Sequence, residues 1–228
     1  MSALFDYPRK ALFGRVLPKN KIYEYAGPST AMKELFVRQV DQITWKYKLA
    51  PETINVPAAR AVPEIQVFGV TLKTGELKED VLRCIDKAIP FPIIYEISHA
   101  GKCRAVAAYK RPSDADSAKW VVSSYFETDW LPEDTVRKAL PITLDLGALY
   151  EELLAPLMPY PPKAGERLQQ RVERAEAIRS QQQELAKTEA RLGKEKQFNR
   201  KVEINAEIRT MKQQLETLTG ADSAGESQ

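Results

Sequence analysis

The run Pro159-Tyr160-Pro161-Pro162 constrains this chain more than any other feature. Each proline fixes φ and removes a backbone donor, so neither a helix nor a central strand continues through it. The composition changes across the run. Residues 166–219 contain no proline, one glycine (Gly193) and one aromatic residue (Phe198). Such a segment lacks the bulk for a core of its own and reads as a polar helical tail. The expected organisation is an N-terminal arm (1–28), an α+β domain (29–158), a Pro-rich linker (159–165), a helical tail (166–219) and a disordered end (220–228).

Within 29–158 the hydrophobic periods alternate between helix and strand. Pro28-Ser29-Thr30 opens a helix whose stripe is Met32, Leu35, Phe36, Val40 and Ile43. Trp45 to Leu49 alternates as a half-buried strand, and Thr53 to Val56 reads as a second short one. Ile65 to Leu72 is apolar on both faces, which predicts a central strand. Leu77 to Ile89 is a second helix stopped by Pro90. Strands at 93–97 and 103–109 flank Ala100-Gly101, and 120–126 adds another. A helix at about 145–157 with Asp145 as N-cap is expected to dock on this domain. In the arm, Lys21 to Tyr25 alternates as a short edge strand. The fold class is therefore α+β: a small mixed or antiparallel sheet with two helices, then a long coiled-coil-like tail.

The tail carries two apolar stripes that share no register. Ile178, Leu185 and Leu192 lie seven apart, and Ile204, Ile208, Met211, Leu215 and Leu218 follow a four-three repeat. At ~100° per residue, the second stripe is rotated by about 120° from the first. Either one helix changes its packing face, or the chain turns near Gly193, with Gly193 as C-cap and Asn199 as N-cap of a second helix. The expectation taken forward is one continuous helix. Its second stripe (204–218) is a candidate interface for a protein partner or for self-association, or is covered by the 178–192 stretch folded back. Lys194, Lys196, Arg200 and Lys201 cluster at the stripe break, as a solvated helix face or as a contact for nucleic acid or an acidic partner.

Chemistry is sparse. Lys and Arg (34) exceed Asp and Glu (31) by three, too little to imply nucleic acid by itself. Cys84 and Cys103 cannot make a Cys-rich metal site, and a single histidine, His99, excludes most His-based ones. No metal or other cofactor is expected. No signal peptide or span of ~18 apolar residues is seen, so no membrane association is expected and reduced thiols in the cytoplasm are the simplest reading. The order helix, three strands, helix, strand over 29–97 is that of a restriction-endonuclease-like core, which carries carboxylates for Mg²⁺ and a lysine for the attacking water. Glu52, Glu64 and Gln66 stand at plausible spacing. Gln66 occupies the lysine's place, and Lys73 or Lys110 would have to substitute. Glu96 and Lys110, on adjacent strands, are expected to form a cross-strand ion pair.

The phrases YKLAPETINV (47–56), PEIQVFGVTLK (63–73), CIDKAIPFPIIYEI (84–97), AAYKR (107–111) and KEKQFNRKVEIN (194–205) together resemble one bacterial family, the domain-of-unknown-function family 4391. The resemblance runs from the first helix into the tail. It implies a setting beside DNA methyltransferases and helicases of restriction or phage-defence type, and supplies no catalytic residues. The expected function is that of a non-enzymatic accessory protein of such an assembly. A divergent metal-dependent nuclease and a nucleic-acid-binding module are the alternatives.

Overall fold

The computed structural model describes residues 3–113, 115–116 and 119–220. The chain divides into two compact units, Met1–Met158 and Pro159–Gln228. Apart from Gly220, the end expected to be disordered lies outside the described residues.

The first unit is α+β with a mixed sheet. Its elements are β1 (Phe5–Asp6), β2 (Leu12–Val16), α1 (Lys19–Ala26), α2 (Thr30–Gln39), β3 (Val40–Leu49), α3 (Pro51–Ile54), β4 (Ile65–Leu72), α4 (Glu79–Ala88), β5 (Ile93–His99), β6 (Lys102–Pro112), β7 (Trp120–Glu127), β8 (Leu131–Pro132), β9 (Lys138–Ala139) and α5 (Leu146–Leu154). The main sheet runs β2-β3-β4-β5-β6-β7, with β8 added beside β6; β1 and β9 pair separately. Within the main sheet neighbours are antiparallel except β4 and β5, whose parallel pairing needs the crossover through α4; β1 and β9 also pair in parallel. Central position explains why β4 is apolar on both faces.

On one face, Phe36, Val81, Ile85 and Ile22 of the helices meet Phe68, Val70, Tyr95 and Ile97 of the strands in a single core. Ser29 caps α2 by accepting from Met32 N at 3.3 Å, and Asp145 caps α5 by accepting from Ala148 N at 2.9 Å. α5 packs by stacking Tyr150 on Tyr109, with ring centroids 6.2 Å apart.

Three expectations are corrected in this unit. Five α-helices, α1 to α5, occur among its described residues where two and a docked third were expected. Lys21 to Tyr25 lies in helix α1, because Ile22 and Ala26, four apart, both enter the core. Residues 3–28 are thus built into the unit through β1, β2 and α1 rather than standing apart as an arm. The strand expected at Thr53 to Val56 is replaced by helix α3 ending at Asn55. Thr53 Oγ1 accepts from Ala50 N at 2.9 Å and donates to Lys48 O at 2.7 Å, a local bonding pattern that competes with a strand.

The second unit is a helical hairpin of α6 (Leu168–Lys194) and α7 (Phe198–Thr219). The continuous helix is therefore corrected. The helices are antiparallel: Gln181 Nε2 donates to Gln214 Oε1 at 2.5 Å, Lys212 meets Glu189 at 3.0 Å and Arg191 pairs with Glu207. Two helices facing each other remove the register conflict, since each stripe needs to be continuous only along its own helix.

The proline run is clamped onto this hairpin. Arg171 Nε and Nη2 donate to Tyr160 O at 2.9 and 2.6 Å. Arg174 donates to Pro161 O at 2.8 Å and, two-pronged, to Glu166 at 2.6 and 2.8 Å. The Arg174 hydrogen bonds, with a backbone bond from Lys163, hold the Glu166 carboxyl down to about 2 from 4.5. A depressed folded-state value means that this stabilisation is complete above the unfolded value and fades as pH falls through the folded one. Glu166→Gln is therefore expected to lower the urea midpoint of the hairpin at neutral pH, and the gap to the parent should close between pH 4.5 and 2. A gap of constant size across that range would show that the carboxylate charge does not hold the clamp.

Candidate nucleic-acid interface

The hairpin turn is three residues, Glu195, Lys196 and Gln197. Glu195 Oε1 accepts from Lys196 N and Gln197 N, both at 2.8 Å, and these backbone bonds hold its pKa below the usual value. The one acid of the turn is thus committed to closing it. Gly193 lies in the last turn of α6 and Asn199 in the first turn of α7, so neither takes the capping role expected of it; Glu195 and Gln197 occupy the cap positions.

The turn brings Lys194, Lys196, Arg200 and Lys201 together at one end of the hairpin, all exposed. Lys194 ends α6, where a cation complements the helix dipole. Arg200 and Lys201 lie in the first turn of α7, the positive end, which has no acidic residue and no side-chain cap. A cation there costs the helix on the order of 0.3–1 kcal/mol. Lys194 thus complements its helix dipole, whereas Arg200 and Lys201 oppose theirs and lie close enough to the Glu195 carboxylate to help lower its pKa. Between them stands Phe198, 78% exposed, with Val202 one turn on at 54%. Sequence reasoning missed Phe198, although its position as the tail's single aromatic, inside a run of cations, was the available signal.

The stripe Ile204, Ile208, Met211, Leu215 and Leu218 lies on α7. Ile204 and Ile208 are buried and the other three half-buried. Within the chain this stripe faces α6, as the antiparallel pairs on either side of it show.

The structure also gathers Glu52, Glu64 and Gln66, but around a lysine. Lys48 Nζ lies 2.8 Å from Glu52 Oε1 and 3.3 Å from Glu64 Oε2, and Gln66 Nε2 donates to Glu64 Oε1 at 2.5 Å. The hydrogen bond from Lys48 is the main reason that the Glu52 pKa falls. Among the described residues no group of three or more His, Cys, Asp or Glu side chains is placed to hold a metal ion. With α3 in place of a strand, two strands rather than three separate α2 from α4, so the order expected of a nuclease core is not met. Lys73 donates to Val37 O at 2.9 Å instead of joining this group.

Glu96 and Lys110 do not pair, because they point to opposite faces of the sheet. Glu96 receives a two-pronged Arg137 at 2.5 and 3.1 Å and Lys46 Nζ at 2.5 Å. Burial pushes its pKa up, and these cations more than offset that, leaving it below the ordinary value. Lys46 reaches it by crossing Gly69, where a Cβ would come within 2.8 Å of Lys46 Cδ, so only glycine leaves the path open. Lys110 turns to the other face and meets Asp86 at 3.1 Å. Cys84 and Cys103 are both buried and unbridged.

A mixed-sheet α+β unit followed by a clamped helical hairpin with a cationic, aromatic tip defines the class of this protein. Residues 5–215 match the family described as Domain of unknown function (DUF4391), and the chain belongs to that family. Neither the curated proteins nor the solved structures include a significant match. No helix among the described residues is long and apolar enough to cross a membrane.

Proposed function

We propose that the protein is a non-enzymatic accessory factor that binds nucleic acid through the tip of its C-terminal hairpin, as a component of a bacterial DNA-processing or phage-defence assembly. The observation that carries this reading is the tip itself. Four cations and one acid, Glu195, meet at a three-residue turn, and two of the cations oppose their own helix dipole, which leaves the tip with a net positive charge. Phosphates are the ligand that such a set of fixed cations fits best. The resemblance to a family encoded beside DNA methyltransferases and helicases supplies the setting, and those enzymes are the partner class we favour.

The test is the salt dependence of binding of the whole chain to labelled DNA or RNA. Four phosphate contacts predict a slope of log K against log salt of about −3. Lys196→Glu with Lys201→Glu should weaken binding by at least about ten-fold and flatten that slope, with the circular dichroism spectrum unchanged because both side chains are exposed. Absence of binding to DNA and RNA at low salt would overturn the proposal.

A further inference from the structure

We infer that the tip takes single-stranded nucleic acid in preference to duplex, with Phe198 as the platform on which a base stacks; the inference rests on the nucleic-acid reading above. Phe198 is the most exposed phenylalanine among the described residues, whereas Phe5, Phe36, Phe68 and Phe126 are buried. Leaving a Phe side chain in water forgoes a substantial stabilisation, and the hairpin offers it no cover. Lys194 and Lys196 precede the ring in sequence, and Arg200 and Lys201 follow it. Lys201, three residues after Phe198, is its neighbour on the α7 surface, so a strand laid across the tip can set a base on the ring and a phosphate on that lysine, the pairing of backbone contact and base stacking used by single-strand binders.

Duplex cannot use this arrangement. Its base faces are covered by their own neighbours, so a ring on a short turn reaches them only if a base is first unstacked. In a single strand every base offers a free face. Gln197 and Asn199, on either side of Phe198, carry amides that both donate and accept, so they can meet the edges of any base. The binding should accordingly be tolerant of sequence. A lipid surface is a poorer fit. Phe198 and Val202 are the only large exposed hydrophobics in the described part of the hairpin, far less apolar surface than an interfacial helix inserts.

The experiment compares the full chain, Phe198→Ala, Phe198→Trp and the Lys196→Glu/Lys201→Glu variant. The ligands are labelled oligothymidylate of about twenty nucleotides, a mixed-sequence duplex of the same length, and phosphatidylglycerol–phosphatidylcholine vesicles. The parent should bind the single strand at least about ten-fold more tightly than the duplex. Phe198→Ala should lose about five-fold or more on the single strand, keep its duplex affinity and keep the same salt slope. Phe198→Trp should retain the affinity, with indole emission that is quenched by the strand. Equal binding of strand and duplex, or an unaffected Phe198→Ala, overturns the single-strand inference and leaves the phosphate reading intact if the lysine reversal still weakens binding. No binding to either nucleic acid overturns both. Phe198-dependent capture on the vesicles without capture of the oligothymidylate makes lipid the ligand and likewise overturns the inference.

Discussion

Replacing Ile208 and Leu215 by glutamate is expected to unfold the C-terminal hairpin while the Met1–Met158 unit keeps its own thermal transition. Ile208 is 7% exposed and Leu215 half-buried on the face that α7 turns toward α6. Burial of each is worth about 1.5–3 kcal/mol, and a carboxylate placed there adds a desolvation cost. The hairpin has little to set against that loss. Its helices are mostly polar, and the stability of a helix in a protein comes mostly from packing of its apolar face rather than from propensity. Far-UV circular dichroism should lose the contribution of α6 and α7, the two longest helices, of 27 and 22 residues. Nucleic-acid binding should go with it, since the tip cations are brought together only by the turn. Ala206→Glu, on the exposed side of α7, is the control and should change neither signal. If the double variant keeps the parent's helicity and binding, the stripe does not hold the hairpin together.

The same hairpin shows where sequence reasoning reached its limit. The two stripes and their 120° offset were legible because helical periodicity is local. Choosing between a bent helix and a turn was not, because Glu195, Lys196 and Gln197 carry no strong turn residue and the closing bonds come from the Glu195 side chain. Strand β4 was legible to the residue, and so were the start of α2 at Pro28-Ser29-Thr30 and Asp145 as a cap, for the same reason of locality. Lys21 to Tyr25 misled because a five-residue window cannot separate a period of 2 from one of 3.6. The Gly27 C-cap, at φ 59°, was the overlooked signal that a helix ends there. At the candidate site the four cations were legible as a cluster. The exposure of Phe198 was not, since a lone aromatic in a helical pattern reads equally well as core.

The Asp86–Lys110 pair left no trace in the sequence, and it carries the other large expected effect. Lys110 sits in an alternating strand and its partner on a helix 24 positions earlier, so no local pattern joins them. Lys110 is 1% and Asp86 5% exposed. Lys110 Nζ donates to Asp86 O at 2.6 Å, to Asp86 Oδ1 at 3.1 Å and to Ile89 O, so it also caps the last carbonyls of α4. Tyr95 donates to Asp86 Oδ2 at 3.0 Å and Tyr125 donates to the same oxygen. Burial pulls the Lys110 pKa below its ordinary value, and the Asp86 carboxylate opposes that fall. Removal of Lys110 is costly, because the carboxylate left behind loses its cation. Lys110→Met should destabilise the first unit by about 3–5 kcal/mol. For a unit of this size that is a fall in Tm of roughly 6–20 °C. Adding Asp86→Asn removes the stranded charge and leaves a side-chain oxygen for the two tyrosine hydroxyls. The double variant should therefore be more stable than Lys110→Met alone, although it carries one more substitution in the core. Urea melts of the parent, both single variants and the double variant measure this coupling directly. Additive losses would mean that Lys110 acts only as a cap on α4, and that its charge does nothing for Asp86.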